Sequence, residues 1–358
     1  MVSNSYAVNL WFSKYISKAK WVIFLGKAEQ SAEATISDVA MHAGVSTATV
    51  SRVIAGVGYV AAKTREKVNK SITALNYQPS SIAQSLRRQS TSMIGLILTD
   101  IQNPFYPEMV RGIEDEVQRR GYSLILCNSA DDPEREISYL DFLASHRAAG
   151  IIVCADGVLK RHRTKLLSQR AKIILVNVQK EDSDLPTVSS QDFEGGELAA
   201  KHLVSCGYPK IIYIGNASEK EFGSLRLDGV KRGAGKIKLE IVYSNDTLKA
   251  GAEVADLISK KFKPPYGIVA HNDLTAIGAM HSLIEKKIKI PQQVGIVGYD
   301  DIALSAYVTP GLTTINQNQY DLGIEAMVML DELIKGGKVK KKKVIPSELV
   351  LRQSTTRI

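Results

Sequence analysis

Apolar residues recur at helical spacing in three short blocks near the start of the chain, then give way to short apolar runs that alternate with amphipathic stretches. In the first block Ile36, Val39, Ala40 and Ala43 share one face. Thr35 is a good N-cap for that helix, and Asp38 stands three residues on, where a capping box has Glu or Gln. The spacing therefore predicts a helix over 36–43. Gly44 supplies a left-handed turn residue, Val45 plugs the core, and Ser46 caps a second helix over 47–54 whose Val50, Val53 and Ile54 face inward. Thr64 is read as the cap of a third helix over 65–76, closed onto the other two by Val68, Ile72 and Leu75. Helix, glycine turn, helix, with a third helix behind, is the pattern of a helix-turn-helix module over 34–79.

From residue 92 the pattern predicts strands at 93–98, 124–127, 151–154, 173–176, 211–214, 268–270 and 294–297. Helices are predicted at 106–120, 134–146, 195–206, 250–260, 276–285 and 322–334. Continuous apolar strands alternating with helices imply parallel sheets covered on both faces. There are too many strands for one small sheet, so the fold class is α/β with two doubly wound lobes. The expected lobes are 92–178 with 317–341 and 179–316 with 342–358, following a hinge at 80–91. Gly311-Leu312-Thr313-Thr314-Ile315 is read as the last crossing back to the first lobe, the lysine-rich 338–343 as a solvated loop, and 347–352 as a final strand.

Composition narrows the function. The chain has 358 residues, 44% hydrophobic and 23% charged, the balance of a globular protein with two or three cores. Its formal net charge is +9, and between Ala34 and Thr91 seven basic residues stand against two acidic ones. That local surplus matches a phosphate-binding surface. Cys127, Cys154 and Cys206 are widely spaced in apolar surroundings, which excludes a CxxC zinc site and fits buried reduced thiols in a cytoplasmic protein. No apolar run reaches the ~20 residues of a bilayer span, so no membrane role is expected. Residues 1–33, which hold Trp11 and Trp21, read as an extension of unknown role. The six histidines show no HExxH spacing, and neither GxxxxGK[ST] nor GxSxG occurs, so neither catalysis nor a cofactor or metal is expected.

Candidate binding residues follow from these elements. On the second helix Thr47, Ala48, Ser51 and Arg52 face outward, short at the front and cationic behind, as entry into a major groove requires. In doubly wound sheets ligands sit at the carboxyl ends of strands. Asn103, Phe105 and Tyr106 follow the first strand, Asn272 and Asp273 a later one, and Asp300 and Asp301 another. Amides and carboxylates beside aromatic rings suit a sugar, whose hydroxyls need donors and acceptors and whose C–H face packs on a ring.

The string TISDVAMHAGVSTATVSRVI, followed by KTREKV, LNYQPS and IAQSLRR, resembles the N-terminal signature of the LacI/GalR (lactose-repressor) family. NPFYPEMVRGIE, SLRLDGV, AHNDLTAIGAM and VGYDDIALSAYVTPGLTTINQ resemble its periplasmic-binding-protein-like core, so the likeness runs from about Ala34 to Ile358. The resemblance implies base reading by Thr47, Ala48 and Arg52, and phosphate contacts by Thr35, Ser46, Thr49, Ser51 and Thr64. It also implies a hinge that orders on the operator, placing Leu86 in the minor groove with Arg87 and Arg88 on the backbone. Effector contacts implied for the core are Phe105, Tyr106, Arg226, Asn272 and Asp300. The expected protein is a homodimeric repressor of double-stranded operator DNA with a sugar-like effector. The alternatives are a purine-responsive member, a member controlled by a phosphorylated protein co-regulator, or a sugar-binding protein with no DNA role. The chain departs from the family at Ala55, commonly Asn, and at Ala61, commonly Ser or Thr. Asp246 falls where sugar-responsive members place Trp or Phe, and Gln319 where the lactose repressor has Phe.

Overall fold

The computed structural model describes residues 34–77, 91–154, 162, 164–166, 168, 171–177, 184–222 and 224–355. The chain divides into two units, the first ending at Ala83 and the second beginning at Gln84. Leu86, Arg87 and Arg88, and the extension 1–33, lie outside the described residues.

The first unit is three helices, α1 (Ile36–Ala43), α2 (Thr47–Ala55) and α3 (Ala62–Ala74). The Thr35 hydroxyl accepts from the Asp38 amide at 3.3 Å, and the Thr35 amide donates to the Asp38 carboxylate at 2.8 Å, completing the capping box with Asp. Gly44 ends α1 at φ 64°, a conformation open to glycine without Cβ strain. Ser46 then caps α2 by accepting from the Thr49 amide at 3.2 Å. Val39, Val50 and Val68 are fully buried where the helices meet, and His42 Nδ1 lies 2.9 Å from Ser71 Oγ, tying α1 to α3. The third helix begins earlier than expected. Thr64 lies inside its first turn, and the N-cap is Ala61, which makes no side-chain bond. Alanine at that position leaves the end of α3 without the hydroxyl a cap supplies.

The second unit contains two six-stranded sheets. The first comprises β1 (Met93–Leu98), β2 (Ser123–Asn128), β3 (Gly150–Cys154), β4 (Lys172–Val176), β5 (Thr187–Ser190) and β11 (Lys342–Ile345), in the order β11-β5-β4-β3-β1-β2 and parallel throughout. The second comprises β6 (Lys210–Asn216), β7 (Lys238–Ser244), β8 (Tyr266–Ala270), β9 (Val294–Asp300), β10 (Thr313–Asn316) and β12 (Glu348–Val350), in the order β12-β10-β9-β8-β6-β7. Only β12 runs antiparallel to its neighbour. Helices α4 (Phe105–Arg119), α5 (Pro133–Ser145) and α12 (Gln319–Ile334) pack on the first sheet. Helices α6 (Asp192–Ser205), α8 (Leu225–Ala234), α9 (Leu248–Lys261) and α10 (Asp273–Glu285) pack on the second, and two one-turn helices, α7 (Glu219–Phe222) and α11 (Leu304–Tyr307), sit in its loops. Cys127, Cys154 and Cys206 are buried and form no disulfide among the described residues.

Two lobe boundaries differ from expectation. Thr187–Ser190 pairs with β4, and Lys342–Ile345 pairs with β5, so both belong to the first lobe rather than the second. The chain therefore crosses between lobes at Gln191, at Gln317–Asn318 and at Pro346–Ser347. These crossings are bonded to one another: Ser190 Oγ donates to Gln317 Oε1 at 2.6 Å, Asn318 Nδ2 to the Pro346 carbonyl at 2.8 Å, and the Gln191 amide to the Ile345 carbonyl at 3.0 Å.

In the first lobe α4 and α12 approach backbone to backbone. A Cβ at Gly112 would overlap the Tyr320 carbonyl oxygen, and one at Gly323 the Met109 carbonyl oxygen. Gly323→Ala is expected to destabilise the second unit by about 1–3 kcal/mol, the usual cost of overpacking. Urea unfolding followed by circular dichroism measures this; an unchanged midpoint would show that the pair can part without cost.

Candidate functional site

The chain carries two candidate sites, one in each unit. On the first, Thr47, Ala48, Arg52 and Ala55 form the exposed face of α2, while Thr49 and Ser51 are half-buried beside it. Arg52 makes no ion pair among the described residues, so its five N–H groups remain available to an acceptor. Thr35 and Ser46 are exposed at the starts of α1 and α2, and Thr64 is half-buried in the first turn of α3. These hydroxyls and helix N-termini suit phosphate oxygens, and the Arg52 guanidinium suits guanine O6 and N7.

In the second unit β1 and β6 each have neighbours on both sides that follow them in the chain, so β1 and β6 are the points where each sheet reverses its winding. The loops after them open onto a cavity of about 860 Å³ between the lobes, large enough for a small metabolite. Asn103, Phe105, Tyr106, Arg226, Asn272 and Asp300 all line it.

On the first lobe Asn103 Oδ1 accepts from the Phe105 amide at 3.0 Å, turning the chain into α4. Phe105 packs edge-on to Tyr106, with ring centroids 5.4 Å apart at 81°, and the Tyr106 hydroxyl is bonded to Thr99 Oγ1. On the second lobe Arg226, 8% exposed, lies over the Tyr299 ring at 3.4 Å. It donates to Asp192 Oδ1 at 2.8 Å through one terminal nitrogen and to the His271 carbonyl through the other. Asn272 caps α10, its Oδ1 accepting from the Thr275 amide at 2.9 Å, which leaves its NH2 group for a ligand.

The end of β9 is held in an unusual backbone. Asp300 and Asp301 have φ of 113° and 57°, the left-handed region that non-glycine residues rarely occupy. Asp273, fully buried, fixes that turn by accepting from the Ile302 amide at 2.9 Å and from the Ser305 and Thr314 hydroxyls at 2.7 and 2.5 Å. Arg352 also holds Asp301, at 2.6 Å. Asp300 Oδ1 accepts from Gln317 Nε2 at 2.5 Å. Burial raises the Asp300 carboxyl well above the usual range against the opposing pull of Arg226, and burial likewise raises Asp273.

Three groups, Asp192, Gln317 and Glu219, escaped the sequence reading of the cleft. Asp192 and Gln317 follow β5 and β10, strands too short and polar to be recognised. Glu219 lies in the one-turn helix after β6, its Oε1 accepting from the Tyr213 and Ser224 hydroxyls at 2.9 and 3.1 Å. His271, adjacent to Asn272, is 5% exposed, and neither ring nitrogen has a hydrogen-bond partner among the described residues. Burial, reinforced by Arg226, pushes its pKa down to about 3, so the imidazole is neutral.

The description "Bacterial regulatory proteins, lacI family" matches residues 35–80, and "Periplasmic binding protein-like domain" matches residues 200–355. The HTH-type transcriptional repressor PurR of Vibrio atlanticus is 37% identical over 84% of this chain and 92% of its own length. The chain belongs to the lacI family of bacterial regulatory proteins. PurR of Haemophilus influenzae is 36% identical over 91% of this chain and 99% of its own. The lac repressor dimer bound to operator and the anti-inducer ONPF superposes with a TM-score of 0.80 at 27% identity, covering 90% of this chain and 99% of that one. The lacI-family chain is thus a DNA-binding transcription regulator and not an enzyme. No helix among its described residues is long and apolar enough to cross a membrane.

Two outcomes test the cleft electrostatics. Arg226→Ala leaves Asp192 buried without its cation and is expected to cost about 3–5 kcal/mol, as removing one partner of a buried pair does; chemical denaturation measures it. For His271 the folded pKa lies below the unfolded one. Its contribution to stability is therefore complete above about pH 6.5 and lost progressively as pH falls toward about 3. Melting temperature against pH should fall less steeply across that window for His271→Gln; parallel curves would mean the ring does not resist protonation.

Proposed function

We propose that this protein is a cytoplasmic repressor that binds a pseudo-palindromic operator as a homodimer and is controlled by a small molecule held in the cleft. The observation that carries the DNA part is the exposed α2 face, with Arg52 as its one cation, in a segment where basic residues exceed acidic ones by five. In this reading Thr47, Ala48 and Arg52 read bases, and Thr35, Ser46, Thr49, Ser51 and Thr64 hold phosphates. Leu86 and Arg87 would act at the minor groove and its backbone. Because Ala48 and Ala55 are hydrogen-bond-free side chains, Arg52 is the principal base reader. The relative that superposes on this chain is a dimer on its operator. Exposed Leu257 on α9 and Ile284 on α10 supply apolar surface for such pairing.

For the effector, relatives that carry the name PurR favour a purine base over the sugar suggested by the strand-end residues. The cleft is compatible with it. Asn272 Nδ2, His271 and Asp300 offer donors and acceptors in its wall, and Phe105 and Tyr106 aromatic rings. Differential affinity of the effector for two lobe angles would then be linked to operator affinity.

Operator affinity measured by fluorescence anisotropy is expected to fall by more than about a hundredfold between roughly 50 and 200 mM salt, through counterion release. A flat salt dependence would sink the DNA reading. Arg52→Ala should cost about 1–3 kcal/mol on the preferred sequence and relax the choice at one guanine. Equal loss on every sequence would make Arg52 a phosphate contact instead.

A further inference from the structure

The charge of the cleft selects among effectors. Six carboxyl groups line it against two cations, Arg226 and Lys249. Arg226 is already committed to Asp192 at 2.8 Å, and Lys249 is exposed. Asp100, at the end of β1 in the first lobe, and Asp246, after β7 in the second, are both half-buried in the cavity wall. Burial raises the Asp246 carboxyl, and the charge of Asp100 across the cavity adds to the rise. No cation of the protein pairs with either among the described residues. A closed cleft with both ionised and nothing between them carries an uncompensated repulsion. No group of three or more potential metal ligands exists among the described residues, which disfavours a metal ion as the bridge.

A second observation points the same way. His271 lies in the wall of this cavity, is only 5% exposed, and has no partner for either ring nitrogen among the described residues. Being neutral, its ring keeps one nitrogen as an acceptor. An imidazole built into a binding cavity with both nitrogens unsatisfied lacks hydrogen bonds that a ligand would supply.

We infer that the effector is an unphosphorylated molecule carrying an amino or cationic nitrogen group, which bridges Asp100 and Asp246 across the cleft and donates to His271. This rests on the cleft being the effector site, and it narrows the purine reading to amino-bearing bases while admitting aliphatic amines. The amine supplies donors to both lobes at once, so its binding favours the closed arrangement. A phosphate meets like charge, and a keto oxygen in place of the amino group would set an acceptor against the carboxylates of Asp100 and Asp246.

Isothermal titration of the full chain with adenine, hypoxanthine, putrescine, D-ribose and ribose 5-phosphate tests this. An amine, either adenine or putrescine, is expected to bind at least tenfold more tightly than the three non-amines, and which of the two wins identifies an aminated base or an aliphatic amine. Asp246→Asn and Asp100→Asn, on opposite lobes, should each lower that affinity by roughly tenfold or more, the scale of a hydrogen bond to a charged group. Hypoxanthine binding as tightly as any amine would overturn the inference and leave the purine reading standing. Ribose or its phosphate doing so would overturn both. Absence of binding by every probe also overturns the inference, while operator affinity, measured separately, still decides the DNA-binding function. Unchanged amine affinity in both variants would overturn it as well.

Discussion

Burying a guanidinium is expensive unless its charge and its donors are both met, and the second lobe is arranged around doing this for Arg226. The Asp192 carboxylate comes from the first residue of α6, the second acceptor is the His271 carbonyl at the end of β8, and the Tyr299 ring of β9 lies beneath. To deliver Asp192, α6 has to run close against α8. Gly196 makes that possible, since a Cβ there would overlap the carbonyl oxygen of Arg226 itself. One buried cation thus sets a helix spacing, holds the tip of β8, and adds to the burial that keeps His271 neutral.

The crossings between lobes form a second consequence of polar satisfaction. Gln317, 2% exposed, donates to Asp300 and accepts from Ser190 and from Asn177 Nδ2, the latter at 3.3 Å. Asp300 belongs to the cleft and Ser190 to the edge of a crossing, so one side chain joins the cavity wall to the segments that must turn if the lobes move. The strained backbone at Asp300 and Asp301 persists because Asp273, Arg352 and Gln317 hold it from three sides. Strain maintained by surrounding bonds is characteristic of sites that position a functional group.

Elements with local signals were legible in the sequence. Thr35, Gly44 and Ser46 announce the ends of α1 and α2 by side-chain chemistry that works within four residues, and β1, β3, β8 and β9 are apolar runs buried on both faces. The elements that escaped lack such signals. Thr187–Ser190 is polar yet buried because β4 and β11 flank it, and Lys342–Ile345 hides inside a lysine run that protects an exposed sheet edge. The same gap explains the missed site residues. Strand-end reasoning found Asn103, Asn272 and Asp300, and it would have found Asp192 and Gln317 had their strands been visible. Asp246 was noticed only as a departure from an aromatic, because its partner across the cleft, Asp100, is more than a hundred residues away and sequence shows no such pair.

Net charge illustrates the same limit from the other side. At +9 the chain invites anions, and a surplus of five positive charges falls between Ala34 and Thr91, in the helix-turn-helix module and its hinge. The cleft has the opposite balance, with carboxyl groups outnumbering cations and the central Arg226 neutralised by Asp192. At moderate salt a charge acts over only about 10 Å, so each surface answers to the groups within that reach rather than to the total. On the proposed reading, an anionic duplex and an amine are sorted by the sign of these two local surfaces. In the proposal, the effector would act through the lobe angle, which the bonded crossings at Gln191, Gln317–Asn318 and Pro346–Ser347 would carry.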